Sequence, residues 1–354
     1  MTRRQFLART AVAAAGPFVA RAPALHAAKR EVRVGGQRVT VVDSHAHCAI
    51  PEVLDVVKGT DLERGVSGSL NGLLVVKTDR LAVMDEQGID VEVLSINPFW
   101  YGAERDLARR IVAVQNERLA AICAANPGRF VALASIALQH PDLAVEQLAD
   151  AVSTHRLPGA AIGGSVNGEE LSSPKFEPFW AKAEQLGAVV FIHPQGIADI
   201  RARVQGNGFL GNVIGNPLET TLALSHLIFE GTLDKYPNLK ICAAHGGGYL
   251  PSYAARSDHG CVAFPTNCTK TLKKKPTEYL KQMYFDSLVF TGEGLRHLVA
   301  ESGAGQVVLG TDYPFPWTST AVDHVLTAPT LTDTDKTAIL GGNLIKLLRI
   351  GARS

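Results

Sequence analysis

Apolar and polar positions along this chain follow two alternating rhythms. Short apolar or β-branched runs occur at 39–43, 91–96, 130–136, 159–162, 189–193, 239–244, 284–287 and 307–311. Their length and side-chain type suit strands. Between most of them lie longer stretches where apolar residues recur every three to four positions, the spacing of a helix with one buried face. These span 104–125, 141–154, 174–186, 217–236, 292–301 and 332–348. Asn126-Pro127-Gly128 closes the first of them, because proline cannot continue a helix and glycine accepts a left-handed cap. Pro141, Pro174 and Pro217 open three others, at positions where a backbone N–H has no intrahelical partner to lose. Alternating strands and helices imply a parallel sheet. Eight such units favour an α/β fold of the closed (β/α)8 type, a TIM barrel, whose chemistry sits at the carboxyl ends of its strands.

Two connections exceed what a plain barrel needs. Residues 48–78 form a long first loop, with Gly65-Val66-Ser67-Gly68 predicting a turn inside it. Residues 246–278 form a cap-like segment after the sixth strand and carry Lys273-Lys274-Lys275, which reads as solvated surface. Both are expected at the active rim, where long loops shape a site.

Composition narrows the function classes. The chain has 354 residues, 46% of them hydrophobic and 19% charged, with a formal net charge of +1. That balance gives no reason to expect nucleic acid or an anionic membrane surface as a partner. No apolar run beyond the amino terminus is long enough to span a bilayer. Residues 1–28 read as an export signal: Thr2-Arg3-Arg4-Gln5-Phe6-Leu7 resembles a twin-arginine motif, an Ala-rich apolar segment follows, and small residues end near Ala27-Ala28. The apolar segment is too short for an anchor, so the expectation is a removed signal and a periplasmic protein. The barrel domain would occupy 38–350. Five cysteines include no CxxC pair. Cys123 and Cys242 lie in apolar runs and read as buried thiols. Cys261 and Cys268 could pair in an oxidising compartment.

Four of the runs end in a metal-binding side chain. His45-Ala46-His47 follows the first, and alternation in an extended strand puts both imidazoles on one face. His193 ends the fifth and Asp312 follows the eighth. Three imidazoles and one carboxylate suit a divalent ion such as zinc, with manganese as the alternative. His245 heads Gly246-Gly247-Gly248 after the sixth run. It is either a fifth ligand or a general acid–base, since imidazole titrates near neutrality. Asp43 has two readings, an orienting partner for an imidazole or a strand-end charge.

Taken together these residues resemble the amidohydrolase superfamily, and within it the aminocarboxymuconate semialdehyde decarboxylase-like group. The resemblance runs from about 41 to 343. Its carriers are Asp43-Ser44-His45-Ala46-His47, Met84-Asp85-Glu86-Gln87-Gly88-Ile89, Asn126-Pro127-Gly128-Arg129-Phe130, Phe191-Ile192-His193-Pro194, Tyr236-Pro237-Asn238-Leu239-Lys240, Ala244-His245-Gly246-Gly247-Gly248 and Leu309-Gly310-Thr311-Asp312-Tyr313-Pro314-Phe315-Pro316. It implies one metal held by His45, His47, His193 and Asp312, with His245 as the catalytic histidine and Asp312 able to relay a proton. Superfamily members with two metals bridge them through a lysine on the fourth strand; here 159–164 holds none, which supports a single ion.

The resemblance further implies nonoxidative decarboxylation of an aromatic or muconate-like acid. It also implies a homodimer in which Arg256 of one subunit reaches the substrate of the other. Two departures bear on substrate: 69–78 offers only Lys77 where the group carries arginines, and Gln195 stands where the group has an aromatic residue. Phe99, Trp100 and Tyr101 either wall the substrate or pack a loop. The alternative chemistry is hydrolysis of a lactone, ester or amide by a metal-activated water.

Overall fold

A computed structural model describes residues 29–70, 74–268 and 272–351, so the signal-like segment 1–28 lies outside the described residues. The eight barrel strands are β1 Val42–His47, β2 Val91–Ser95, β3 Phe130–Ala132, β4 Gly159–Ile162, β5 Val189–Ile192, β6 Lys240–Ala243, β7 Tyr284–Asp286 and β8 Val307–Val308. All their pairings are parallel, β1-β2-β3 in one run and β4 to β8 in another. A bridge from Ala134 to Ala160 joins the two runs on one side. On the other, Ser44 N donates to Leu309 O and Asp312 N to His45 O, each at 2.8 Å, which closes the barrel.

The helices α1 Thr78–Gln87, α2 Arg105–Ala125, α3 Pro141–Ser153, α4 Glu177–Leu186, α5 Asn216–Phe229, α6 Ala254–Ala263, α7 Gly292–Ser302 and α8 Asn343–Leu348 follow the strands. Alternation sorts the strand residues between two cores. Val190 and Ile192 pack outward among the helices. Val189 and Phe191 face the barrel interior with Val91, Val93, Cys242 and Val308, and Leu344, Leu347 and Leu348 of α8 join them. Each such buried side chain contributes about 1.5–3 kcal/mol of transfer free energy.

Several elements differ from the sequence pattern for physical reasons. Residues 65–68 are not a turn; they lie inside a helix, Glu63–Leu70, where burial of Val66 outweighs the low propensity of glycine. The 217–236 stretch breaks after Phe229, and Gly231 at φ 79° starts a separate turn, Thr232–Lys235. The 332–348 stretch is interrupted by a wide turn, Ala338–Gly342. A Cβ on Gly341 would sit 2.0 Å from the Thr40 carbonyl oxygen, so glycine lets this turn rest against the entry to β1. Cys261 and Cys268 form a disulfide that ties the end of α6 to the turn beyond it. Cys242 is buried and Cys123 half-buried. No helix among the described residues is long and apolar enough to cross a membrane.

Candidate metal centre

An irregularity in β1 aims the first two histidines. Val41 packs outward and Val42 inward, so unbroken alternation would bring 44 and 46 to the interior. The register against β2 instead shifts between Asp43 and Ala46. Ala46 then packs outward, and His45 and His47 face the interior at the carboxyl rim. A β-bulge does this by adding one residue to one strand. On β5 no correction is needed, because His193 continues the inward series of Val189 and Phe191. Asp312 and His245 lie just past β8 and β6, both in the left-handed region at φ 61° and 55°. Such backbone is costly for these residue types and concentrates at functional sites.

The five side chains meet. His45 Nε2 lies 3.0 Å from His47 Nε2. Asp312 Oδ1 lies 2.8 Å from His47 Nε2 and 3.2 Å from His45 Nε2, yet this buried oxygen accepts no well-directed hydrogen bond from either. His45, His193, His245 and Asp312 each offer a ligand atom within 4.8 Å of the others. Atoms bound to one ion at about 2.1 Å stand at most about 4.2 Å apart, so the cluster is close to a coordination shell. The tautomer of His45 follows from its partner: Nδ1 bonds Asp286 Oδ2 at 2.7 Å. In the neutral ring, Nε2 would then turn its lone pair toward another imidazole nitrogen and a carboxylate oxygen. Facing lone pairs in a dry site call for positive charge between them, a proton on His45 or a metal, and the residues fit a divalent ion.

The electrostatics agree. Burial alone would depress the His45 imidazole, but the Asp312 and Asp286 carboxylates raise its pKa to about 10. That lift measures the negative field awaiting positive charge. Burial lowers His47 to about 4 and holds His193 well below the usual imidazole range. Burial also opposes ionisation of Asp312, yet the facing His45 charge keeps its carboxyl well below the usual carboxylate range.

Asp286, at the end of β7, is the residue that sequence reasoning missed. It is fully buried. Oδ2 accepts from His45 Nδ1 and from His245 N at 2.8 Å; Oδ1 accepts from Gly246 N at 2.8 Å and Leu288 N at 3.1 Å. One carboxylate thus fixes the His45 ring and the backbone turn that carries His245. Gly310 makes room for it, since a Cβ there would lie 2.7 Å from Asp286 Cβ and 3.2 Å from His45 Cβ. Asp43 touches no imidazole ring. Its Oδ1 accepts from His45 N at 2.9 Å and Thr311 N at 3.1 Å, and its Oδ2 from Thr311 Oγ1 at 2.5 Å, so it stitches β1 to the chain beyond β8. Burial raises its carboxyl to about 7.

His193, His245 and Asp312 open into a cavity of about 640 Å³ walled by Asn97, Gln195, Asn212, Asn216, Phe315 and Trp317. A second lobe of about 380 Å³ shares His245, Asn212 and Trp317 and continues to Tyr249, Phe290 and His297. Gln195 is at this wall, with its Nε2 bonded to the Pro98 carbonyl and its backbone N–H to Glu219 Oε2 at 2.6 Å. Trp100 does not line either lobe of the cavity. It is fully buried, and its indole N–H donates to Ile136 O at 2.8 Å, so it belongs to loop packing. Arg256 is exposed on α6 and does not line the cavity of its own chain.

Comparison with known proteins places these features among relatives. The sequence pattern of the amidohydrolase family, described as Amidohydrolase, matches residues 42–350. A 2-amino-3-carboxymuconate-6-semialdehyde decarboxylase of Dictyostelium discoideum is 35% identical over 272 residues, 76% of this chain and 75% of that protein. A gamma-resorcylate decarboxylase of Rhodococcus jostii is 31% identical over 288 residues, 76% of this chain and 86% of that protein. A dihydroxybenzoic acid decarboxylase of Polaromonas, solved with manganese and the inhibitor 2-nitroresorcinol, superposes with a TM-score of 0.78 at 26% identity. That match covers 89% of this chain and 98% of the other.

Proposed function

This chain belongs to the amidohydrolase family, and from that premise we propose that it is a metal-dependent carboxy-lyase that decarboxylates an aromatic or muconate-like acid without an oxidant. The observation that carries the reading is the convergence of His45 Nε2, His47 Nε2 and Asp312 Oδ1 within 3.2 Å, beside a cavity that Asp312 and His193 line. The relatives are decarboxylases by name.

His45, His47, His193 and Asp312 would hold one divalent ion. A nitrogen-rich set favours zinc, and manganese is the competing outcome. The bound ion would supply Lewis-acid stabilisation of negative charge on substrate oxygens. In the reaction the bond between an unsaturated carbon, of the ring or of the muconate chain, and the carboxylate carbon breaks, carbon dioxide leaves, and the electron pair stays on that carbon, which takes up one proton. His245 lines the cavity with Nε2 3.5 Å from Asp312 Oδ2. From that position a proton carried on Nε2 can pass to the carbon that loses carbon dioxide. Positioned donors and acceptors cost no reorganisation at that moment.

Arg256 is proposed to enter the site of a second subunit and grip the reacting carboxylate through paired hydrogen bonds. Its exposure on α6 supports this. Export by the twin-arginine route is proposed from Arg3-Arg4 and the Ala-rich segment after it. The Cys261–Cys268 disulfide suits an oxidising compartment. Sequencing the amino terminus of periplasmic protein would test it.

The decisive experiment loads the protein with zinc or manganese and offers dihydroxybenzoates, carboxymuconate-like acids and lactones. Carbon dioxide release from an acid is expected. Lactone opening without any carbon dioxide from the acids would reject the reading in favour of a hydrolase.

A further inference from the structure

The polar wall of the cavity is built from carboxamides. Asn97, Asn212 and Asn216 line it, and none makes a side-chain hydrogen bond to another described residue. Gln195 uses its Nε2 on Pro98 and keeps Oε1. Among the described residues lining either lobe there is no lysine or arginine. Lys77 lines a separate surface cavity with Arg118. Behind the wall sits the buried Glu219, whose Oε2 accepts from the backbone of Gln195 at 2.6 Å and Gly196 at 2.5 Å.

We infer that this cavity selects an aromatic acid whose only anionic group is the carboxylate that leaves, with neutral ring hydroxyls received by Asn97, Asn212 and Asn216. The inference rests on the decarboxylase reading. A carboxamide offers both donors and an acceptor, so it pairs with a hydroxyl in either sense. It offers no charge to a carboxylate. A second carboxylate, away from the metal, would be taken from water into a site with an acid behind its wall and no lysine or arginine among the described lining residues, which is unfavourable unless a partner is supplied. Arg256 of a second subunit, the one arginine proposed to enter, is committed to the reacting group. The site therefore discriminates against dicarboxylates, the class to which a carboxymuconate semialdehyde belongs, by lacking a partner for the second charge.

Unreactive analogues test this on the metal-loaded protein by calorimetry. 2-Nitroresorcinol carries a nitro group in place of the reacting carboxylate. 3,5-Dihydroxy-4-nitrobenzoic acid adds one carboxylate to it, and the corresponding benzamide adds the same bulk without charge. Nitroresorcinol and the benzamide are expected to bind within about threefold of each other, and the benzoate more weakly by at least about tenfold. Asn212→Leu and Asn216→Leu should each weaken nitroresorcinol on the order of tenfold at unchanged metal content. Asn212→Lys should narrow or reverse the penalty on the benzoate. Benzoate binding as tight as nitroresorcinol overturns the inference and leaves the decarboxylase reading intact; so does a benzamide excluded as strongly as the benzoate, which would make size the cause. Failure of all three to bind with metal in place removes both readings.

Discussion

Replacing Asp286 tests whether the metal centre is held from behind. Its two oxygens accept from His45 Nδ1, His245 N, Gly246 N and Leu288 N at 2.7–3.1 Å, all inside the barrel. Asp286→Ala orphans four donors. At about 1 kcal/mol each, the low end for a buried unsatisfied group, the metal-free protein should lose about 4 kcal/mol. Asp286→Asn keeps the shape but turns an NH₂ toward some of those donors, so it should cost about half as much. Both variants free the His45 ring to rotate and change tautomer. Losing such an orienting partner typically costs about 10–100-fold in metal affinity. Competition against a chromophoric chelator gives the affinity, and urea unfolding of chelator-treated protein gives the stability. The informative variant is Asp286→Asn, because it should fold. Metal affinity within twofold of the parent would show that His45 needs no fixed partner and that the argument from its tautomer is wrong.

Three further outcomes are expected. Gly310→Ala puts a methyl group 2.7 Å from Asp286 Cβ, so overpacking should cost about 1–3 kcal/mol and reduce bound metal; full metal occupancy with parental stability would count against the close-approach role. Trp100→Phe should lower stability by about 1–3 kcal/mol through the lost bond to Ile136 O while leaving KM unchanged; a raised KM would return Trp100 to the substrate. The third concerns pH. In the metal-free protein His45 is raised to about 10 and His47 lowered to about 4. The His45 contribution is complete below the unfolded value of about 6.5 and is lost as pH rises toward 10. The His47 contribution is complete above about 6.5 and is lost as pH falls toward 4. This pair should give metal-free protein a stability maximum near pH 6.5, and metal should remove the alkaline fall by replacing the proton on His45. Equal stability of metal-free protein at pH 6.5 and 9 would refute it.

The barrel and much of its floor were legible in the chain because both rest on local pattern. Val189 and Phe191 announce the inward face of β5, and His193 continues their parity. His45 and His47 share a face whatever the register, so their pairing could be read although the bulge that turns them inward could not. Asp286 escaped notice because it lies inside the short strand-like run 284–287, with no neighbouring histidine or glycine motif to single it out. Asn212 and Asn216 carried no motif; a polar residue near a helix start is ordinarily a cap. Trp100 was ambiguous because sequence does not say which way a loop aromatic faces. Gly65 and Gly68 argued for a turn, and only the tertiary contacts of Val66 overrule them.

The seam between β1 and the chain past β8 has a consequence for how the protein is made. His45 and Asp312 meet across it, as do Asp43 and Thr311, which are 268 positions apart. A nascent chain that has not yet emitted Asp312 lacks both the hydrogen bond from Asp312 N to His45 O and the carboxylate that faces His45 and His47. Contacts so distant in sequence form late, after the chain has met the entropy of closing its largest loop. With the proposed ligands, metal capture would therefore report circular closure: the ion would fasten the first strand to the chain past the last, and a polypeptide stalled or truncated before residue 312 would lack the clasp.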